Sequence, residues 1–193
     1  MKKNMTALFI ASALFSGMAM ADASVLATND SSQATLNFEG RVTSNACQVS
    51  TSDVNKTIEL GEVTMNQLDF GSGSQAQSFN VELVNCDTNT ESISYTLADV
   101  NGSESNKEYL IPESGDTSAT GVGVFVEKSD GSTVTTGQEI TLDNLGQDGN
   151  GTLSSQTIAL KANIRKTDDT VDATPGSVNA KGTLTIRTTV VNP

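Results

Sequence analysis

The chain has 193 residues, 36% of them hydrophobic, with no Trp and three Pro; that suits a single domain with a core of small aliphatics and a few Phe. A formal charge of −12, from 11 basic against 23 acidic residues, repels polyanions, so nucleic acid is excluded as a partner and anionic membrane surfaces are disfavoured. The lack of His removes Ser-His-Asp and Cys-His catalysis and every His-containing zinc site, so no enzyme, metal or cofactor is expected.

Residues 1–21 open with Lys2 and Lys3, run through the apolar stretch Ala7–Phe15 and end on Ala19-Met20-Ala21. That pattern is a signal peptide, with cleavage expected between Ala21 and Asp22. The apolar stretch is too short to span a bilayer. Export changes the meaning of the two cysteines, because an even pair in an oxidising compartment is usually a disulfide. Cys47 and Cys86 are the one pair available, and their bond is expected to stabilise the fold by roughly 3–4 kcal/mol through restriction of the unfolded chain. A redox role would want Cys-X-X-Cys spacing, which the chain lacks.

Asp22–Gln33 is polar, with apolar side chains only near its start and no turn to pair it back onto the body. Alone it should be disordered. It is either a frayed terminus or an arm that becomes a strand on another molecule. From Leu36 the period becomes two, with Leu36, Phe38, Gly40 and Val42 on one side and Asn37, Glu39, Arg41 and Thr43 on the other, which predicts a half-buried strand. Further strands are predicted at Thr57–Val63, at Ser78–Asn85 with Phe79, Val81 and Leu83 inward, and at Ser92–Ala98 with Ile93, Tyr95 and Leu97 inward. Gly121–Lys128 places Val122, Val124 and Val126 on one face. Asp130-Gly131 then signals a tight hairpin turn, with a weaker strand at Glu139–Leu142. Thr157–Arg165 alternates through Ile158, Leu160, Ala162 and Ile164, and Thr183–Val191 through Leu184, Ile186, Thr188 and Val190.

Between these strands lie Gly-, Ser- and Asp-rich loops, at Leu145–Thr152 and Lys166–Pro175 among others. Asp143-Asn144 and Asp148-Gly149-Asn150-Gly151 offer oxygen ligands but not EF-hand spacing, and read as solvated turns, as does Asp168-Asp169. Tyr95 and Phe125 are expected in the core, whereas Tyr109 and Phe70 fall in loops and stay open as parts of a receptor site. No helix of convincing length follows the leader. Seven or so short alternating strands argue for an all-β sandwich.

The residues also carry a resemblance. Gly40-Arg41-Val42, Ala46-Cys47-Gln48-Val49, Ile58-Glu59-Leu60-Gly61-Glu62-Val63, Phe79-Asn80-Val81-Glu82-Leu83 and Asn85-Cys86 follow one another in the order of a chaperone–usher pilin. Gly121-Val122-Gly123-Val124, Ile158-Ala159-Leu160-Lys161-Ala162 and Thr174-Pro175-Gly176-Ser177-Val178-Asn179-Ala180 continue the match. The chain resembles the type 1 fimbrial subunits of that family over nearly all its exported length. The resemblance implies an incomplete immunoglobulin-like sandwich, lacking its last strand and completed by a donated one. It implies residues 1–21 as signal peptide, 22–35 as donor arm and 36–193 as pilin domain. Val25, Leu26, Ala27, Ala34 and Leu36 would be the apolar donor residues, and Leu184, Ile186, Thr188 and Val190 the last strand beside the groove. The implied partners are neighbouring subunits, a periplasmic chaperone, an outer-membrane usher and a host receptor reached through the fimbrium; the implied route runs through the periplasm to the cell surface. A second reading is a single-domain minor or adhesive subunit that itself binds a host receptor. Two departures stand out. Thr188 occupies the place where the family has a Tyr close to its C-terminus, with Thr189-Val190-Val191-Asn192-Pro193 beyond it, and the arm lacks the glycine frequent there.

Overall fold

The computed structural model describes residues 35–38, 46–69, 71–102 and 106–191. The chain divides into two units, Met1–Arg41 and Val42–Pro193. In the first, the signal peptide and the donor residues Val25, Leu26, Ala27 and Ala34 lie outside the described residues. Its described segment, 35–38, forms no strand, and Leu36 and Phe38 are 72% and 88% exposed.

The second unit is a two-layer β structure. One sheet has the order β1 (Gln48–Val49), β2 (Gln77–Val84), β8 (Gln156–Lys166), β4 (Val122–Lys128). The other has the order β5 (Glu139–Thr141), β3 (Thr90–Asp99), β9 (Gly182–Val190). All pairings within both sheets are antiparallel. A short ribbon of β6 (Gln147–Asp148) and β7 (Gly151–Thr152) occupies the segment expected to be a plain loop. This is the strand order of an immunoglobulin-like sandwich, A-B-E-D in one sheet and C-F in the other, with β5, which follows strand D in the chain, added beside C and the place of strand G beside β9 unfilled among the described residues.

Alternation explains the long strands. Val81 and Leu83, Ile93, Tyr95 and Leu97, Val124 and Val126, and Ile158, Leu160 and Ala162 all meet in one core between the layers. Leu83 and Ile93 are fully buried, and burying such a side chain stabilises by about 1.5–3 kcal/mol. β4 departs from simple alternation, because Gly123 and Phe125 on its other face are buried too. Tyr109 accounts for this: its ring packs on Phe125 with centroids 5.5 Å apart, and a Cβ on Gly123 would lie 2.7 Å from it. Arg165 stacks on Phe125 at 4.8 Å and pairs with Glu127. Tyr109 is therefore half-buried packing, while Phe70 lies outside the described residues.

Two other expectations need correction. Thr57–Val63 joins no ladder. The turn at Asp130-Gly131 forms, with Lys128 N–H donating to Ser132 C=O at 2.8 Å, but its return leg makes only an isolated bridge, Glu127 to Thr133. The chain then crosses to the other sheet, where β5 pairs with β3. A short helix also forms, α1 (Met65–Asp69). Thr64 Oγ1 accepts from Gln67 N–H at 3.3 Å while Gln67 Oε1 accepts from Thr64 N–H at 3.0 Å, a capping box in the sequence Thr-Met-Asn-Gln. Leu68 anchors the helix in a second cluster with Val122, Ile164 and Ala173.

Cys47 and Cys86 form the expected disulfide. It ties the residue before β1 to the end of β2, where Gln48 already faces Val84. Among the described residues no helix is long and apolar enough to cross a membrane, and no group of three or more Cys, Asp or Glu is placed to hold a metal.

Two consequences can be measured. Ile158 is 1% exposed, so Ile158→Ala should lower unfolding stability by about 2–5 kcal/mol in denaturant titrations. Three turn carboxylates set a pH dependence. Bonds from Ser132 and Lys128 hold Asp130 down to about 2, and Asp168 and Asp53 are lowered by Thr170 and by Lys56 with Glu82 N–H respectively. Depressed carboxylates stabilise the fold above their unfolded pKa and lose that effect as pH falls through the folded value. The thermal midpoint should thus hold down to about pH 4 and fall as pH drops toward about 2.

Candidate functional site

The absent strand leaves a groove of about 1450 Å³ between the layers. That exceeds the usual 300–1,000 Å³ of a small-molecule pocket. Its floor is apolar, with Val81, Val124, Leu160 and Ala162 from one sheet and Leu97 and Leu184 from the other. Thr57–Val63 lines it as one segment, and Thr174–Gly182 as another. Ile58 and Leu60 alternate like a strand because both face this apolar space, and Gly61, with φ of 70°, breaks the period so that Val63 faces it too; among the described residues no neighbouring strand pairs with the segment.

The second segment is held by close backbone approach. Ser118 and Ser177 form a parallel bridge, and Ser177 N–H donates to Thr117 C=O at 2.8 Å. Gly176 permits this: a Cβ there would lie 2.3 Å from Ala119 N.

The groove opens beside the first residues of β9. Leu184, Ile186, Thr188 and Val190 face inward, yet each is only half-buried, while their partners on β3 are mostly buried. A strand whose inward face stays half-exposed is missing cover. Of the four, Leu184 lines the groove; Ile186, Thr188 and Val190 lie outside its lining. There Cys47 approaches β9, donating from its backbone N–H to Thr188 Oγ1 at 3.3 Å. Among the described residues that is the one hydrogen bond reaching β9 from outside its own sheet. The small hydroxyl at 188 so ties the disulfide-bonded segment to the last strand, a role its sequence position did not reveal.

The other sheet edges are covered or short. β4 is met by Leu110, whose N–H and C=O both bond Val124, and by Val134 N–H bonded to Val126 C=O. β5 has three residues. β2, beyond its short pairing with β1, is met by Ser50, Asp53 and Lys56. Among the described residues, β9 alone combines a long strand and an open edge with an apolar trough, which lies beside its first residues. That arrangement offers a backbone ladder and alternating pockets, the two elements by which an extended peptide adds to a sheet.

The loops singled out for oxygen ligands serve as turns. Asp148 Oδ1 accepts from Asn150 N–H at 2.7 Å, and Asp168 Oδ1 from Thr170 N–H and Oγ1 at 2.7 Å each. Tyr95 is buried in the core, and burial followed by the charges of Asp130 and Asp143 raises its phenol pKa.

Comparison with known proteins bears on this geometry. A family model described as fimbrial protein matches residues 36–188. The chain is 42% identical to fimbrial protein 987P of Escherichia coli, over 97% of its own length and 96% of that protein's. It is 32% identical to a type-1 fimbrial protein A chain of Escherichia coli, over 97% and 99% of the two lengths. A solved chain from a chaperone–usher pilus shares the fold with a TM-score of 0.56 at 22% identity, covering 81% of this chain and 95% of that one.

The tight seat of Gly176 gives a test of the groove's construction. Gly176→Ala should cost about 1–3 kcal/mol, read as a lowered midpoint in chemical unfolding, because the segment must move off Ala119.

Proposed function

The chain belongs to the fimbrial protein family, and from that premise we propose that it is a structural subunit of an adhesive fimbrium that polymerises by donor-strand exchange. The observation that carries the reading is the apolar groove beside the open edge of β9. An unpaired edge above an apolar trough is an aggregation hazard. It is relieved when another chain supplies the missing strand.

The strand comes from the N-terminal arm of a second copy. Residues 22–35 stand ahead of the domain with Val25, Leu26, Ala27 and Ala34 as apolar side chains. Leu36 continues the set, and its exposure, with that of Phe38 two residues on, supports extending the donated face to Phe38. Residues two apart in a strand share a face, so Leu36 and Phe38 enter the trough together. Each arm–groove contact is head-to-tail and does not close on itself, so repetition builds an open helical filament.

Before assembly the groove needs a temporary occupant. A periplasmic chaperone strand fills it, and an outer-membrane usher exchanges that strand for the next subunit's arm. The signal peptide delivers the chain to the periplasm and the finished fimbrium stands at the cell surface, where it carries adhesion to a host receptor. The role is structural and involves no bond chemistry beyond the disulfide.

Deleting residues 22–35 behind an intact signal peptide tests this. The expected outcome is complete loss of surface filaments by electron microscopy, with the chaperone-bound subunit still recoverable from the periplasm. Filaments of normal abundance from the deleted chain would overturn the reading.

A further inference from the structure

The edge of β2 is closed in an unusual way. β1 pairs with β2 only at Gln48 to Val84 and Val49 to Leu83. Beyond it the backbone turns away, Ser50 N–H donates to Glu82 C=O at 2.8 Å, and side chains take over the ladder. Asp53 Oδ2 accepts from Glu82 N–H at 2.7 Å. Lys56 Nζ donates to Asn80 C=O at 2.5 Å. Asp53 Oδ1 and Lys56 Nζ bond each other at 2.8 Å, and the Asp53 side chain is only 6% exposed. A carboxylate oxygen stands where a partner strand would place a C=O, and an ammonium where it would place an N–H. The chemistry matches a strand edge group for group, yet it cannot be extended by a further backbone.

We propose that Asp53 and Lys56 act as a surrogate strand that closes β2 to intermolecular pairing, so that a second copy's strand is accepted at β9 alone. The need follows from the protein's own design. A subunit that must keep one edge open for pairing gains nothing from a second open edge, where addition would give lateral aggregates rather than a filament. Charged side chains bonded to edge groups satisfy them without offering a template. The consequence for assembly rests on the strand-exchange reading above; the protection of the β2 edge does not.

The test uses the full-length chain and two readouts. Native-state hydrogen exchange should show the Glu82 amide protected in the wild type. In Asp53→Ala/Lys56→Ala that amide should exchange about tenfold faster or more, with the amides of Val81 and Leu83 unchanged. The same variant should give laterally associated or amorphous aggregates where the wild type gives single filaments. The swap Asp53→Lys/Lys56→Asp separates edge matching from simple ion pairing. It keeps the opposite charges but sets ammonium against N–H and carboxylate against C=O, so it should behave like the double alanine variant. Asp53→Asn keeps an acceptor for Glu82 N–H, guards against a folding artefact and should retain protection. Unchanged Glu82 exchange in the double alanine variant, or wild-type behaviour of the swap, would overturn the proposal. Failure of the arm-deletion experiment would leave the Glu82 result standing, so the two readings fail separately.

Discussion

The structure depends on one unmet demand: among the described residues, β9 has a row of backbone groups and a half-exposed apolar face with no strand beside it. The core between the layers is continuous from β2 through β8 to β4 on one side and across β3 on the other. It thins toward β9, where Leu184 and Ile186 are packed only in part. A completed sandwich would bury them. On the strand-exchange reading, burial of these side chains waits for the arriving segment.

The remainder of the domain makes that incompleteness tolerable. The disulfide holds Cys47 at the end of β2, and Cys47 N–H in turn holds Thr188. The far end of β9 is thereby fixed across the sandwich, while the end at Leu184 stays open. Gly176 lets one lining segment tuck against residues 117–119, and α1 with Leu68 supports the second cluster beneath Leu60 and Val63. Short strands, bridging segments and bonded side chains blunt the remaining edges. Specificity of assembly, on this account, is as much a matter of edges closed as of the one edge left open.

Much of the fold was legible in the sequence because alternation is a local signal. The patterns at Ser78–Asn85, Ser92–Ala98, Thr157–Arg165 and Thr183–Val191 each fall within a residue or two of an observed strand. The failures share a cause: the deciding partner is distant or absent. Thr57–Val63 has a strand's pattern, but its apolar side chains face the groove and, among the described residues, its backbone joins no ladder. Asp130-Gly131 makes its turn, yet the chain then leaves for the other sheet to form β5. Tyr109 read as an open loop aromatic because its contacts with Gly123 and Phe125 cross sequence distance. The capping box at Thr64-Met65-Asn66-Gln67 was available locally and marks the helix in retrospect. The disulfide followed from counting. The roles of Thr188, Asp53 and Lys56 were hidden, since each bonds a backbone group far along the chain.

The most direct test of the central claim is a map of the assembled filament that resolves side chains around β9. The account predicts a strand hydrogen-bonded along the outer edge of β9, running over Leu160 and Leu184, traceable to the N-terminal arm of the adjacent copy and including Leu36 and Phe38. A groove left empty, or one filled by the subunit's own arm, would contradict it.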